Sequence, residues 1–403
     1  MKITWASNAP WSATGYGTQT NQLLKRLVAD GHDVAVAANH GLAGRPMRDP
    51  ETDSLVFPSG ADTYGNDVIL PGHLLHARGE PGWIITLYDV WVYGNHFDTE
   101  RVASWVPVDH YPVPPKVAEW CRKHPAIAMS RFGQRALAES GVQAAYAPHA
   151  LDLNVWKPTE TLPDGTPTRT NWGIPDDAFI VMINAANKGN VPPRKSWGEM
   201  LSGLALLMRE HPDVYLYLHT DLRGVYGGID LQLLLSVLGI EPDRVRVPDQ
   251  FANLSGLIPQ EALAAYYTAA DVLLATSMGE GFGIPVIEAQ ACGTPVIVTD
   301  FSAQPELVGG GWTVPYQPWW DFTQASWLAL PNVAAIHRRL NEAREAKRDA
   351  TIRAAALAKA QEYEADAVYE THWKPILADL ADQLKPAATP TRQQRRAKRR
   401  KAA

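Results

Sequence analysis

One stretch, residues 270–300, limits what this chain can fold into. A buried apolar run, Val272-Leu273-Leu274-Ala275-Thr276, leads into Ser277-Met278-Gly279-Glu280-Gly281-Phe282-Gly283. Ile284-Pro285 then opens a stretch that closes at Gly293, and a second apolar run follows from Val296 to Thr299. Two near-continuous apolar runs of this length are strands buried on both faces, which belong in a parallel sheet covered by helices. Pro285 suits the first turn of a helix and Gly293 its end. The three loop glycines let the backbone come close to a partner. The loop therefore lies at the carboxyl end of a strand in an open α/β sheet, where such sheets bind ligands. The helix after it points free N–H groups at that crevice, which suits a phosphate.

Glu280 lies in this loop and Glu288 in the helix. Two carboxylates at one helix start repel a diphosphate, but they accept well from hydroxyls such as those of a ribose and a sugar. A pair of helix-dipole or solvated glutamates is the plainer alternative. The glycine loop and flanking strands favour the hydroxyl reading.

The same alternation runs along the rest of the chain. Ile3–Ala6 reads as a strand, residues 8–17 as a turn-rich loop, Leu23, Leu24, Leu27 and Val28 as one helix face, and Val34–Ala38 as the next strand. Further strands are expected at Trp83–Leu87, Trp105–Val108 and Ala126–Met129. A second series is expected at Phe179–Asn184, Val214–His219, Arg244–Val247, Val272–Thr276 and Val296–Thr299, with a helix at Ser196–Met208. The sequence predicts an α/β chain of two doubly wound Rossmann-like domains facing a cleft. The expected boundaries are a first domain at 1–155, a Pro/Thr/Gly/Asp-rich linker at 156–176, a second domain at 177–361, a helix at 362–384 crossing back to the first domain, and a disordered basic tail at 385–403.

Charge supports that division. Eight of the 37 basic residues lie in the last nineteen positions, which hold no acid. Against 43 acidic residues, positions 1–384 therefore carry a formal −14, although the whole chain is only −6. A hydrophobic content of 46% excludes a mostly disordered chain. Cys121 and Cys292 are too far apart in sequence for a metal motif or a disulfide framework, and a reducing compartment is the simple reading. No apolar run reaches the roughly 18–20 residues of a membrane span, and Met1–Asn8 turns polar too soon for a signal-peptide core. A cytoplasmic protein is expected.

The run Glu280-Gly281-Phe282-Gly283-Ile284-Pro285, with Glu288 and then Ala289-Gln290-Ala291-Cys292-Gly293-Thr294-Pro295-Val296-Ile297, resembles the Glu-x7-Glu signature of family-4 retaining glycosyltransferases of the GT-B fold. The resemblance implies that Glu280 contacts the donor sugar and Glu288 the nucleotide ribose, with Gly281, Phe282 and Gly283 shaping the donor loop. Gly15 and Gly17, in Gly15-Tyr16-Gly17, match the family's glycine pair near the donor diphosphate. Arg194-Lys195 resembles the pair that grips it, while Asn187-Lys188 departs from the family's preceding Gly-Arg. Ala147-Pro148-His149-Ala150-Leu151-Asp152 resembles the interdomain Pro-Asn-Gly-x-Asp segment, with His149 and Ala150 departing from it. The family's sugar-facing histidine falls at Asp109 or His110, with Asp89 as a third candidate. Asp109, His110 and Glu280 are thus the expected catalytic residues.

The resemblance implies glycosyl transfer with retention from a nucleotide-diphosphate sugar, which is a co-substrate, with no separate cofactor and no metal. The chain has no Asp-x-Asp, the metal–diphosphate clamp of the other large glycosyltransferase fold. Nucleic acid, protein, a lipid-linked sugar and small-molecule glycans stay open as acceptors. The basic tail could hold a polyanion by charge alone, which allows a viral-type enzyme acting on hydroxylated DNA bases. The alternative from another class is a non-catalytic nucleotide-sugar-binding module. The aromatic residues Trp312, Tyr316, Trp319, Trp320 and Phe322 are expected to seal a satellite core, with Trp11 and Tyr16 near the cleft.

Overall fold

A computed structural model describes residues 1–94, 100–189 and 193–385. The proposed polyanion-binding tail lies outside them apart from Lys385. The first domain is built on β1 (Lys2–Ser7), β2 (Asp33–Ala38), β3 (Met47–Arg48), β4 (Leu55–Phe57), β5 (Gly82–Leu87), β6 (Val102–Val106), β7 (Ala126–Ala128) and β8 (Ala144–Tyr146), in the spatial order 3-4-2-1-5-6-7-8. All pair in parallel except β3, which runs antiparallel to β4. The second domain holds β9 (Phe179–Asn184), β10 (Val214–His219), β11 (Val245–Arg246), β12 (Val272–Ala275), β13 (Val296–Thr299) and β14 (Gly311–Val314), all parallel, in the order 11-10-9-12-13-14. An antiparallel hairpin, β15 (Tyr316–Asp321) and β16 (Ser326–Pro331), follows.

Strand order reverses at β1/β5 in the first sheet and at β9/β12 in the second. The loops leaving the carboxyl ends of these strands are the natural ligand sites of doubly wound sheets. They include Asn8–Thr14 and Tyr88–Asp89 on one side, and Thr276–Gly283 on the other.

Among the elements that differ from expectation, two do so for clear physical reasons. The strand expected at Trp105–Val108 is Val102–Val106, because Pro107 has no N–H for the ladder and the chain leaves the sheet there. The expected linker 156–176 is instead a packed wall of the second domain. Trp172 stacks on Tyr217 with ring centroids 4.2 Å apart, and Trp156 packs edge-on against Tyr267. The Arg169 guanidinium donates to Asp271 at 2.9 Å and to the carbonyls of Ala269, Asp176 and Ala178. Pro and Thr mark irregular backbone, but the two tryptophans and the arginine bury it.

The chain crosses between domains twice, side by side. Leu151 N–H donates to the Tyr363 carbonyl at 2.8 Å, and Ala365 N–H donates to the Leu151 carbonyl at 2.9 Å. Beyond that point the expected helix 362–384 is present as continuous helical backbone over 365–384, with one π-turn at Tyr369–Trp373 between the α-helical segments Ala365–Val368 and Lys374–Leu384. They cover the first domain. Trp373 packs edge-on against Trp105 at 4.9 Å and Trp5 at 5.9 Å, and the Trp83 indole donates to the Leu380 carbonyl.

Candidate active site between the two sheets

The loop after β12 meets the first domain directly. A Cβ added at Gly281 would lie 2.3 Å from the Pro107 Cβ, and one at Gly279 would lie 2.2 Å from the Asp109 carbonyl oxygen. These glycines are needed because another stretch of backbone crosses them, a reason the sequence does not display. Gly283, with φ +113°, turns the chain into the helix Ile284–Ala291. Across the gap, Gly15 begins the helix Gly15–Ala29, and a Cβ there would stand 3.1 Å from the Ile284 Cδ1. Two helix N-termini, one per domain, therefore abut, concentrating positive potential between the sheets. Residues 15–17, expected within the loop, are the first helical turn. Thr14 caps it by accepting from Gly17 N–H at 3.0 Å, and a Cβ at Gly17 would strike the Ser12 carbonyl at 2.2 Å.

The charged groups gather here. Glu280 N–H donates to the Ser302 hydroxyl, and the Glu280 carboxylate accepts from Lys195 Nζ and, at 3.1 Å, from Arg194. Arg194 also donates to the Gly279 carbonyl, and its Nε stands 3.7 Å from the Asp109 carboxylate. Burial works to raise the Glu280 carboxyl, but Lys195 and Arg194 outweigh it and hold it at about 2. Burial lowers the Lys195 ammonium despite Glu280.

On the first domain, His110 is buried between two carboxylates. Its Nδ1 lies 2.6 Å from Asp109 Oδ1 and its Nε2 lies 3.2 Å from Asp321 Oδ2. Burial alone would lower the imidazole, yet these partners raise it. Asp109 is held at about 2, its burial outweighed by His110 and Arg194. Asp89 moves the other way, to about 6, through burial and the neighbouring Asp109 charge. All three candidates of the first domain thus fall in one electrostatic cluster with Arg194. Lys188 acts on Asp89.

Glu288 sits deeper, 7% exposed, accepting from the Tyr267 hydroxyl at 2.9 Å; that hydroxyl accepts from Asn184 at 2.7 Å. Burial lifts Glu288 to about 7, the tyrosine only partly offsetting it. Phe282 is buried, its ring edge-on to His149 and Tyr363, so it fastens the loop across the domain boundary. His149 is buried against Trp105 and pushed down to about 3.

The aromatic stretch expected as a satellite core is one only in part: Trp312, on β14, packs against the core of the second domain. Tyr316, Trp319, Trp320 and Phe322 lie on the hairpin, and Phe322 is 83% exposed. Trp319 and Trp320 are half-buried, Trp320 edge-on to Trp327, whereas Tyr316 and Phe322 face outward. Sequence reasoning also missed Asp321, Ser302 and Tyr267. For Asp321 a signal existed, since two short runs rich in aromatic and aliphatic residues, 316–320 and 327–330, flank a short polar connection at 321–326. Among the described residues, no group of three or more His, Cys, Asp or Glu is placed to hold a metal ion, and no helix is long and apolar enough to cross a membrane.

Comparison with known proteins gives matches over part of the chain. Residues 252–345 match the family described as glycosyl transferases group 1. The D-inositol 3-phosphate glycosyltransferase of Streptomyces avermitilis is 33% identical over 184 residues, 44% of this chain and 36% of that protein. Its Thermomonospora curvata counterpart is 32% identical over 155 residues, 36% of this chain and 33% of that protein. The matches thus span about a third of the length of these curated relatives. Over nearly the full chain, the fold is that of sucrose-phosphate synthase from Thermosynechococcus elongatus, with TM-score 0.68, 19% identity and coverage of 95% of this chain and 100% of that one. It is also that of Anabaena HepE in complex with UDP-glucose, with TM-score 0.65, 18% identity and coverage of 94% and 100%.

Proposed function

From the premise that this chain is a GT-B-fold relative of the group 1 glycosyl transferases, we propose that it moves a sugar from a nucleotide diphosphate to an acceptor hydroxyl. One observation carries the reading. Glu280, at the end of one sheet, is fixed by Lys195 and Arg194, and the same Arg194 reaches Asp109 beside His110 at the end of the other. A donor lying between the sheets meets cations and two helix N-termini at its diphosphate, and carboxylates at its hydroxyls.

Sugar transfer passes through an oxocarbenium-like state while negative charge grows on the departing phosphate. Arg194, Lys195 and the N-terminus of the helix Ile284–Ala291 stabilise that charge in this reading, with no metal called for and no cofactor beyond the donor. In the structure both cations are engaged by Glu280, so the donor phosphates must share or displace that pairing. Glu288 takes the ribose hydroxyls through the oxygen that Tyr267 leaves free. Retention of configuration follows if the acceptor hydroxyl attacks the face the diphosphate leaves, its proton passing to the leaving phosphate. His110, flanked by two carboxylates, holds both its protons and serves as a hydrogen-bond donor rather than a base.

The reading is tested with a thermal-shift panel of UDP, GDP, ADP, CDP and dTDP on the parent and on Glu280→Ala. UDP is the first choice because HepE has been crystallised with UDP-glucose. A ligand at 100 times its dissociation constant stabilises by about 2.7 kcal/mol, which moves the midpoint by several degrees. One responder is expected, with hydrolysis or transfer of its sugar conjugate reduced at least about 100-fold in Glu280→Ala. Binding without turnover in the parent would favour a non-catalytic nucleotide-sugar module. No response from any of the five would overturn the donor site.

A further inference from the structure

We propose that Asp321, carried by the second domain's hairpin, is a positioning residue for His110 of the first domain, fixing its ring with both nitrogens protonated when the domains are together. The inference rests on the reading of the site given above.

Both hydrogen-bond directions of the His110 ring end on carboxylates: Asp109 at Nδ1 and Asp321 at Nε2. Ionised carboxylates only accept, so both ring nitrogens must donate. The charged groups around the ring are Asp109 on its own loop, Asp89 at the end of β5, Arg194 ahead of the helix Trp197–Glu210, and Asp321 on the hairpin. Glu280 occupies the far side of Arg194.

Asp321 is itself aimed. Its Oδ1 accepts from Thr323 N–H at 2.8 Å and from the Thr323 hydroxyl at 2.7 Å, leaving Oδ2 for His110. The hairpin is seated on the segment directly after His110. Tyr111 N–H donates to the Trp327 carbonyl at 3.1 Å, Trp327 N–H returns to the Tyr111 carbonyl at 3.3 Å, and the Ser326 hydroxyl donates to the Pro112 carbonyl. The carboxylate and the strand pairing thus arrive together from the second domain. When the domains part, His110 keeps Asp109 and loses Asp321.

The test is a titration of His110 in the full chain by NMR with labelled histidine, the resonance identified by its loss in His110→Gln. Asp321→Asn keeps the side-chain size but can turn an N–H toward Nε2, which then accepts only as a neutral ring. Its proton affinity should fall about tenfold, moving the midpoint down by about one pH unit. Asp321→Glu should restore most of the shift. A midpoint unmoved in Asp321→Asn overturns the proposal, and this readout needs no turnover. In the kinetic arm, Asp321→Asn should lower kcat more at pH 8 than at pH 6, with donor KM within about twofold of the parent. Equal loss at both pH values would assign Asp321 a packing role and overturn the proposal. A parent that never turns over, with the NMR shift present, would sink the glycosyl-transfer reading and leave the Asp321–His110 assignment standing.

Discussion

Two glutamates eight positions apart have opposite electrostatics because their neighbours differ. Glu280 faces Lys195 and Arg194 and stays ionised to about pH 2, whereas Glu288 faces a tyrosine hydroxyl and is lifted to about 7 by burial. The stability consequences have opposite sign. Between its ordinary 4.5 and about 7, Glu288 binds more protons folded than unfolded, so its contribution falls as pH rises through that window, by on the order of 3 kcal/mol. Glu280 and Asp109 have depressed folded values, so their contribution is complete above the ordinary carboxylate range and is lost as pH falls toward 2. Glu288→Gln should therefore flatten the decline in urea midpoint between pH 5 and pH 8 while leaving acid unfolding unchanged. A variant that declines as steeply as the parent would show that Glu288 is not titrating in that window. The spacing of Glu280 and Glu288 was legible in the sequence, but their protonation was not, because Tyr267 and Lys195 come from other elements.

At the scale of elements, the loop 276–283 and the segment 107–110 are shaped by each other. Gly281→Ala would push a methyl to within 2.3 Å of the Pro107 Cβ, so one backbone must retreat. Overpacking of this kind typically costs about 1–3 kcal/mol, and here it falls on the contact between domains. Weaker donor affinity and a larger radius of gyration in solution scattering are expected. Unchanged scattering and unchanged affinity would refute the contact as a determinant of closure. The strands at Phe179–Asn184, Val214–His219 and Val296–Thr299 were readable to the residue because buried parallel strands are continuous apolar runs. The short strands at Met47–Arg48, Leu55–Phe57 and Ala144–Tyr146, at or next to the sheet's edges, escaped notice, since two or three residues carry no periodicity. Gly311–Val314 escaped as well, its four residues holding a tryptophan that reads equally as loop packing.

Across the whole molecule, the last helices belong to the first domain's core although they follow the second domain in sequence. Trp373 is buried against both Trp5 and Trp105, so Trp373→Ala should cost about 3–5 kcal/mol. The loss should appear as an earlier urea transition of the first domain, with the transition of the second domain unmoved. A midpoint within the error of the parent would show that the chain's return crossing is not structural. Closure is also held by Glu306, whose carboxylate accepts from Arg131 and Phe132 N–H at 2.8 and 2.9 Å, at the start of the helix Arg131–Glu139 across the boundary. By itself the sequence determined the two-domain α/β architecture, the glycine loop and the residues that bear its charges. Those follow from apolar run length, glycine and proline placement and residue chemistry, all of which are local. Only the tertiary structure decided which charges meet: Arg194 with Asp109, Asp321 with His110, Glu306 with a helix start. Those pairs join residues separated by some 85 to 211 positions, and that distance along the chain closes only when two sheets and a hairpin are packed face to face.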